Sequence, residues 1–127
     1  MAIRTELSLR LQNSPGSLSR VCHVLAVERV NLIALCLDGN GTLRMVVDNC
    51  LHAVSTLREQ HYQVEERDVL YTTMPNQPGS LARAVRLVAD AGLNLDYAYA
   101  SGVENDAMVG VVMGVPDAMR ASAAAGI

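Results

Sequence analysis

The residues best suited to chemistry occur twice in this chain. Asn13-Ser14-Pro15-Gly16-Ser17-Leu18 returns 63 positions later (76 − 13) as Asn76-Gln77-Pro78-Gly79-Ser80-Leu81. Arg20 and Arg83, Ala26 and Ala89, and Asn31-Leu32 and Asn94-Leu95 continue the match. In each copy an alternating apolar segment precedes the motif and a helical pattern follows it, so each loop delivers the chain to a helix N-terminus. Such a terminus has unsatisfied N–H groups and about half a positive charge. Gly16 and Gly79 let backbone approach a ligand closely, because no Cβ intervenes. Pro15 and Pro78 stiffen the approach. The result suits a small anion such as a carboxylate. Asn13 and Asn76 add an amide oxygen that can accept from an ammonium group. Carboxylate beside ammonium is the signature of a free α-amino acid. The structural alternative is a plain Pro-Gly turn with an Asx-turn before it.

Asn31 and Asn94 each follow a helix and precede a strand. They read equally as turn or left-handed residues and as polar groups at the mouth of the same site.

Enzymatic chemistry finds no support. His23, His52 and His61 belong to no nucleophile–base motif. Cys22 and His23 are helix neighbours pointing ~100° apart. Cys50-Leu51-His52 lacks a second pair at zinc spacing. Gly39-Asn40-Gly41 is too short for a phosphate loop. The three cysteines read as buried, reduced thiols of a cytoplasmic protein.

A repeat with this period implies two copies of one supersecondary unit, at residues 1–68 and 69–127. Units this small bury only ~60% of their unfolded surface, so they should pack on each other or on a second chain. Half the residues are hydrophobic, enough for a core. No apolar run approaches the ~20 residues of a membrane span, and the N-terminus lacks the apolar region of a signal peptide. A net charge of −3 with scattered arginines excludes a nucleic-acid footprint.

The elements that must position the loops follow from periodicity. Leu7, Leu9 and Leu11 alternate as a strand. Leu18, Val21 and Leu25 mark a helix from residue 16 or 17 to 29. A strand at 31–37, a tight hairpin at Gly39-Asn40-Gly41 with Asn-Gly supplying positive φ, and a strand at 43–47 come next. Asp48 or Asn49 caps a helix at about 50–60. A strand at 62–67 turns Tyr62 and Val64 inward and runs without a linker into one at 69–74. Leu81, Val85 and Val88 form the stripe of a helix closed by Gly92. Strands at 93–100 and 107–115 flank a longer hairpin containing Gly102 and Asn105-Asp106. Pro116-Asp117 opens the last helix. The order strand-helix-strand-strand-helix-strand is that of a ferredoxin-like α+β unit. Both helices then lie on one sheet face, and the other face must be solvated or covered. Ala125-Gly126-Ile127 stands where the second unit's fourth strand should begin. That sheet is completed by another chain, or its edge is covered within the molecule, or the chain is a truncated member of its family.

The Asn-x-Pro-Gly-Ser-Leu motif, the amphipathic helix and the Asn-Leu that starts the next strand resemble the ACT domain family, over nearly the whole chain as two tandem copies. The resemblance is greatest to small stand-alone tandem-ACT proteins. It implies a non-catalytic regulatory or sensor protein that needs no cofactor, binds a free amino acid or similar small carboxylate, and forms a homodimer. It also implies a ligand held between paired units by the loop after strand one and by strand two of a neighbour. By position these are Asn13, Pro15, Gly16, Ser17, Leu18, Asn31, Leu32 and Ile33, and Asn76, Pro78, Gly79, Ser80, Leu81, Asn94, Leu95 and Asp96. Asp96 in place of Ile33 would disfavour a second carboxylate, so the two sites need not be equivalent. The alternative is an interaction module that regulates a partner enzyme through its open sheet face.

Overall fold

A computed structural model describes residues 2–124. The elements run β1 (Ala2–Arg10), α1 (Ser17–Val27), β2 (Leu32–Leu37), β3 (Thr42–Val47), α2 (Cys50–Glu59), β4 (Glu65–Pro75), α3 (Ser80–Asp90), β5 (Tyr97–Ser101), β6 (Met108–Gly114) and α4 (Ala118–Ala124). The chain divides into two compact α+β units. The first is Thr5–Arg67. The second combines residues 2–4 with the chain from Asp68 onward.

In the first unit the strand order is β2-β3-β1-β4. Antiparallel register places Leu7 opposite Met45, and Leu35 opposite the same Met45 on the other side. Leu7, Leu9, Leu43, Met45 and Val47 turn to one face, because alternate strand residues share a face. There they meet Val21 and Leu25 of α1 and Ala53 and Leu57 of α2. Tyr62 and Val64 join this core as expected, but from the connection before β4, which begins at Glu65 and not at residue 62.

The second unit repeats the plan as β1-β4-β6-β5. Its core joins Leu70 and Met74 of β4, Val111 and Met113 of β6, Val88 of α3 and Ala118 and Ala121 of α4. The strand expected after the last helix falls on residues 125–127, which lie outside those described. The fourth strand position is filled by residues 2–4 of β1. Ile3 packs against the second core. The Arg4 guanidinium lies 5.3 Å from the Tyr71 ring centre, a cation–π contact. The edge is therefore covered from within the molecule, by the chain's own beginning.

Three local expectations need correcting. Leu81 is half exposed, because α3 turns Ser80 and not Leu81 inward in its first turn; Ala84, Val85 and Val88 continue the inward stripe. The first hairpin does not place positive φ at Asn40. Gly41 takes it, at 83°, and Asp38 organises the turn by accepting from the N–H groups of Asn40 and Thr42. The sheet face away from the helices is not open at its centre. Glu6, Ala34 and Val46 are buried there in the first unit, and Val69 and Val112 in the second. In the second unit Tyr71 and Tyr97 lie over Gly110 and Gly114, where a Cβ would collide with their rings. Tyr97 also stacks on Tyr99, with ring centres 6.3 Å apart. The GxxxG spacing of these glycines thus has a sheet meaning: two sockets for aromatic rings. The cysteines are free and only half buried. Burial, followed by the nearby Glu66 carboxylate, raises the Cys50 thiol pKa.

Candidate functional site

The two copies of the loop have the same backbone. Gly16 and Gly79 precede α1 and α3 with φ of 85° and 88°, a left-handed conformation that only glycine adopts at little cost. Neither has anything within 4 Å of a notional Cβ, so dihedral angle and not space demands glycine. The Ser17 N–H returns to the Ser14 carbonyl, and the Ser80 N–H to the Gln77 carbonyl. Arg20 and Arg83 donate from their backbone to Gly16 and Gly79.

Neither helix has a side-chain cap. By contrast α2, outside the repeat, is capped by Asn49, whose Oδ1 accepts from the His52 N–H at 3.2 Å. The N–H groups of Leu18 and Ser19, and likewise of Leu81 and Ala82, have no protein acceptor among the described residues. The motif therefore leaves amides facing outward at two helix starts.

In the first unit these amides border an open cleft of ≈ 580 Å³. Asn13, Gly16, Ser17, Leu18 and Ser19 line one side, and the hairpin Leu37–Gly41 lines the other. The hairpin is held in place at both ends. The Leu11 N–H donates to the Gly41 carbonyl at 2.8 Å, and the Arg10 guanidinium donates to the Asn40 carbonyl at 2.9 Å. The Thr42 N–H, then the Arg44 guanidinium at 3.0 Å, hold the Asp38 carboxyl below its ordinary pKa. Asp38 is thus spent on the hairpin, and the cleft does not present it as a bare charge. Asn13 is exposed and its side chain makes no hydrogen bond to a described residue.

The second unit closes the corresponding space. Asn76 Nδ2 donates to the carbonyls of Glu104 and Asp106, both at 3.0 Å, and its N–H donates to Ala107. Its amide donors are consumed by the β5–β6 hairpin. Ser80 is buried, and Pro78 and Gly79 are exposed. Pro15 is exposed and outside the cleft lining.

The remaining sequence candidates lie elsewhere in each unit. Leu32 pairs with Val47, whereas the cleft adjoins Leu37, which pairs with Leu43 at the far end of the same ladder. Asn31, Leu32 and Ile33 are thus some ~15 Å away along β2. Asn31 exchanges hydrogen bonds with Asp48, donating its N–H to Oδ1 and accepting the Asp48 N–H. It is not left-handed; Arg29 is, at φ 58°. Asn94, Leu95 and Asp96 sit at the equivalent end of β5, where the Asp96 N–H donates to the Gly114 carbonyl. Gly92, not Asn94, takes the positive φ after α3. Asp38 is the site residue that sequence reasoning missed. An Asp four residues before the hairpin's return strand was the available signal.

This architecture has relatives. The sequence profile of the ACT domain pair matches residues 1–121. The chain belongs to the ACT domain pair family. The crystal structure of protein BT0572 from Bacteroides thetaiotaomicron is 31% identical over 96% of this chain and 85% of that one, with a TM-score of 0.86. The ligand-free regulatory subunit of aspartate kinase from Thermus thermophilus shares the fold at 18% identity, over 98% of this chain and 92% of that one, with a TM-score of 0.70. Aspartokinase III of E. coli, in complex with lysine and aspartate, does so at 17% identity, over 87% of this ACT pair and 28% of its own chain, with a TM-score of 0.57. No curated protein matches the chain.

Proposed function

We propose that this ACT pair is a regulatory module that binds a free amino acid, or a similar small carboxylate, beside Gly16. The ligand carboxylate accepts from the Leu18 and Ser19 N–H groups, and its ammonium donates to Asn13 Oδ1. The observation that carries this reading is the uncapped start of α1 opening on a cleft lined by Asn13. A helix whose purpose was only structural would gain about 1 kcal/mol from a cap, as α2 does through Asn49. The lysine and aspartate in the E. coli neighbour make an amino-acid ligand reasonable for this fold. Asn31, Leu32 and Ile33 lie at the far end of their own unit, so they reach a ligand only from a neighbouring copy in a homodimer; the same holds for Asn94, Leu95 and Asp96. Bridging two copies would stabilise one arrangement over others, which is how binding becomes a signal. The alternative of a partner enzyme docking on the sheet face meets a face already buried at Glu6, Ala34 and Val46.

Calorimetry and thermal unfolding against the twenty amino acids test the reading. A specific ligand at a hundredfold excess over Kd stabilises by ~2.7 kcal/mol. Gly16→Val is expected to abolish that response, since valine resists φ 85°. Absence of any response across the set would remove the proposal.

A further inference from the structure

The first turn of α1 borders a second concavity, which adjoins the first along Arg10, Leu11, Gln12 and Ser17. It encloses about 340 Å³ between the end of β1, the start of α1 and the α2–β4 connection. Arg10, Arg20 and His61 line it together with Gln12, Ser17 and Gln60, and no acidic residue does. The adjoining cleft, which shares Arg10, His61 and Tyr62, includes Glu65, and one beside α2 includes Glu59 and Glu66. The convergence is against the trend of a chain whose net charge is −3. Arg10 spends one Nη2 hydrogen bond on the Asn40 carbonyl, which leaves other guanidinium donors for a ligand. The side chains of Arg20 and His61 have no hydrogen-bond or ion-pair partner among the described residues.

His61 is unusual in its backbone as well. It follows the Gln60 C-cap of α2 with φ 70°, donating its N–H to the Arg58 carbonyl. Glycine is the usual residue there, because a side chain costs energy in the left-handed region. Arg29 carries the same cost after α1, so conformation alone does not define a site. What distinguishes His61 is that it lines a cleft with two arginines. The second unit supplies an internal control. Its groove in the same place is lined by Thr72, Met74, Pro75, Ser80, Arg83 and Leu87, among others, and encloses ≈ 170 Å³. There Arg20 has its counterpart in Arg83, but Arg10 has become Thr73.

We infer that the cleft between Arg10, Arg20 and His61 is a binding site for a small, multiply charged oxyanion, a phosphate ester or a polycarboxylate, adjoining the amino-acid cleft and distinguished from it by Arg20 and His61. Arginine forks match the paired oxygens of both groups. The volume is at the lower end of small-ligand clefts, which run about 300–1,000 Å³.

Phosphate and citrate are titrated separately into the full chain by calorimetry and thermal unfolding, at constant ionic strength balanced with chloride. At least one is expected to raise the unfolding midpoint beyond chloride; phosphate alone points to a phosphate ester and citrate alone to a polycarboxylate. Arg20→Ala and His61→Gly are each expected to weaken that binding by roughly tenfold or more, the loss of one charge-assisted contact. His61→Gly separates binding from folding, because glycine accepts φ 70° without strain. Its midpoint in chloride should be unchanged or higher. Arg20→Lys is expected to retain part of the affinity. Equal responses to chloride, phosphate and citrate would overturn the inference, as would binding that survives both substitutions. Arg20 and His61 do not line the amino-acid cleft, so their substitutions leave amino-acid binding intact, and failure of the amino-acid reading and failure of this one are read separately.

Discussion

The two copies of the Asn-x-Pro-Gly-Ser-Leu loop share their dihedral angles and their backbone hydrogen bonds, yet what lies over them differs. In the first unit the hairpin spans residues 38–41 and ends level with Leu11, two residues short of Asn13. In the second it spans residues 102–107, and the β4–β6 ladder continues to Pro75 opposite Met108. The longer hairpin reaches Asn76 and occupies both of its amide donors. The same sequence motif therefore builds an open recess in one unit and an internal latch in the other. A duplicated loop retains what its own residues dictate, here the glycine φ and the missing cap. What it can bind is decided by a hairpin some thirty residues away in sequence.

The contrast can be tested hardest at the hairpin tip. Gly41 has φ 83°, and a Cβ there would sit 2.8 Å from the Leu11 carbonyl oxygen. Gly41→Ala should cost about 3 kcal/mol in urea unfolding, from positive φ plus overpacking. Gly39→Ala should cost almost nothing, because its Cβ meets open space. The two asparagines come next. Asn76→Ala should lose about 2 kcal/mol, one net hydrogen bond for each amide donor. Asn13→Ala should leave stability nearly unchanged and weaken amino-acid binding instead. Equal stability losses at the two positions would erase the distinction between recess and latch.

Helix capping gives a smaller effect. Asn49→Ala should cost about 1 kcal/mol by removing the α2 cap, whereas Ser14→Ala, beside an uncapped α1, should be close to neutral. The smallest is a pH effect at Asp38. Its carboxyl pKa is lowered in the folded protein by the Thr42 N–H and Arg44. That stabilisation is fully present above the unfolded value, near ~3.9, and is lost as pH falls through the folded value. The stability difference between wild type and Asp38→Asn should accordingly be largest near neutrality and shrink below about pH 4. A difference independent of pH would mean that the charge of Asp38 does not hold the hairpin.

Features encoded by neighbouring residues were legible in the sequence. The glycine-led helix starts, the Asn49 cap and the unbroken passage through residues 65–75 each follow from side chains within a few positions. The candidate loop was legible for the same reason. Features that depend on distant pairing were not. Nothing local in Asn13 or Asn76 indicates which one a hairpin will reach. Gly110 and Gly114 look like weak strand residues until Tyr71 and Tyr97 are placed over them. Residues 2–4 carry one large apolar side chain, Ile3, too little to show that they serve the second core. Leu81 followed helical periodicity but occupies a first turn, where periodicity does not guarantee cover.

That division of β1 bears on the order in which the molecule can be made. A nascent chain that has reached Arg67 holds every residue of the first unit, and can complete it while synthesis continues. The second unit needs residues 2–4 as well as those from Asp68 onward. Its closing strand waits in residues 2–4, already translated, until α4 has been made. For this half of the protein, residues synthesised well before the rest of the unit are among the last to find their place, and a lesion in residues 2–4 is felt in the unit encoded more than sixty residues later.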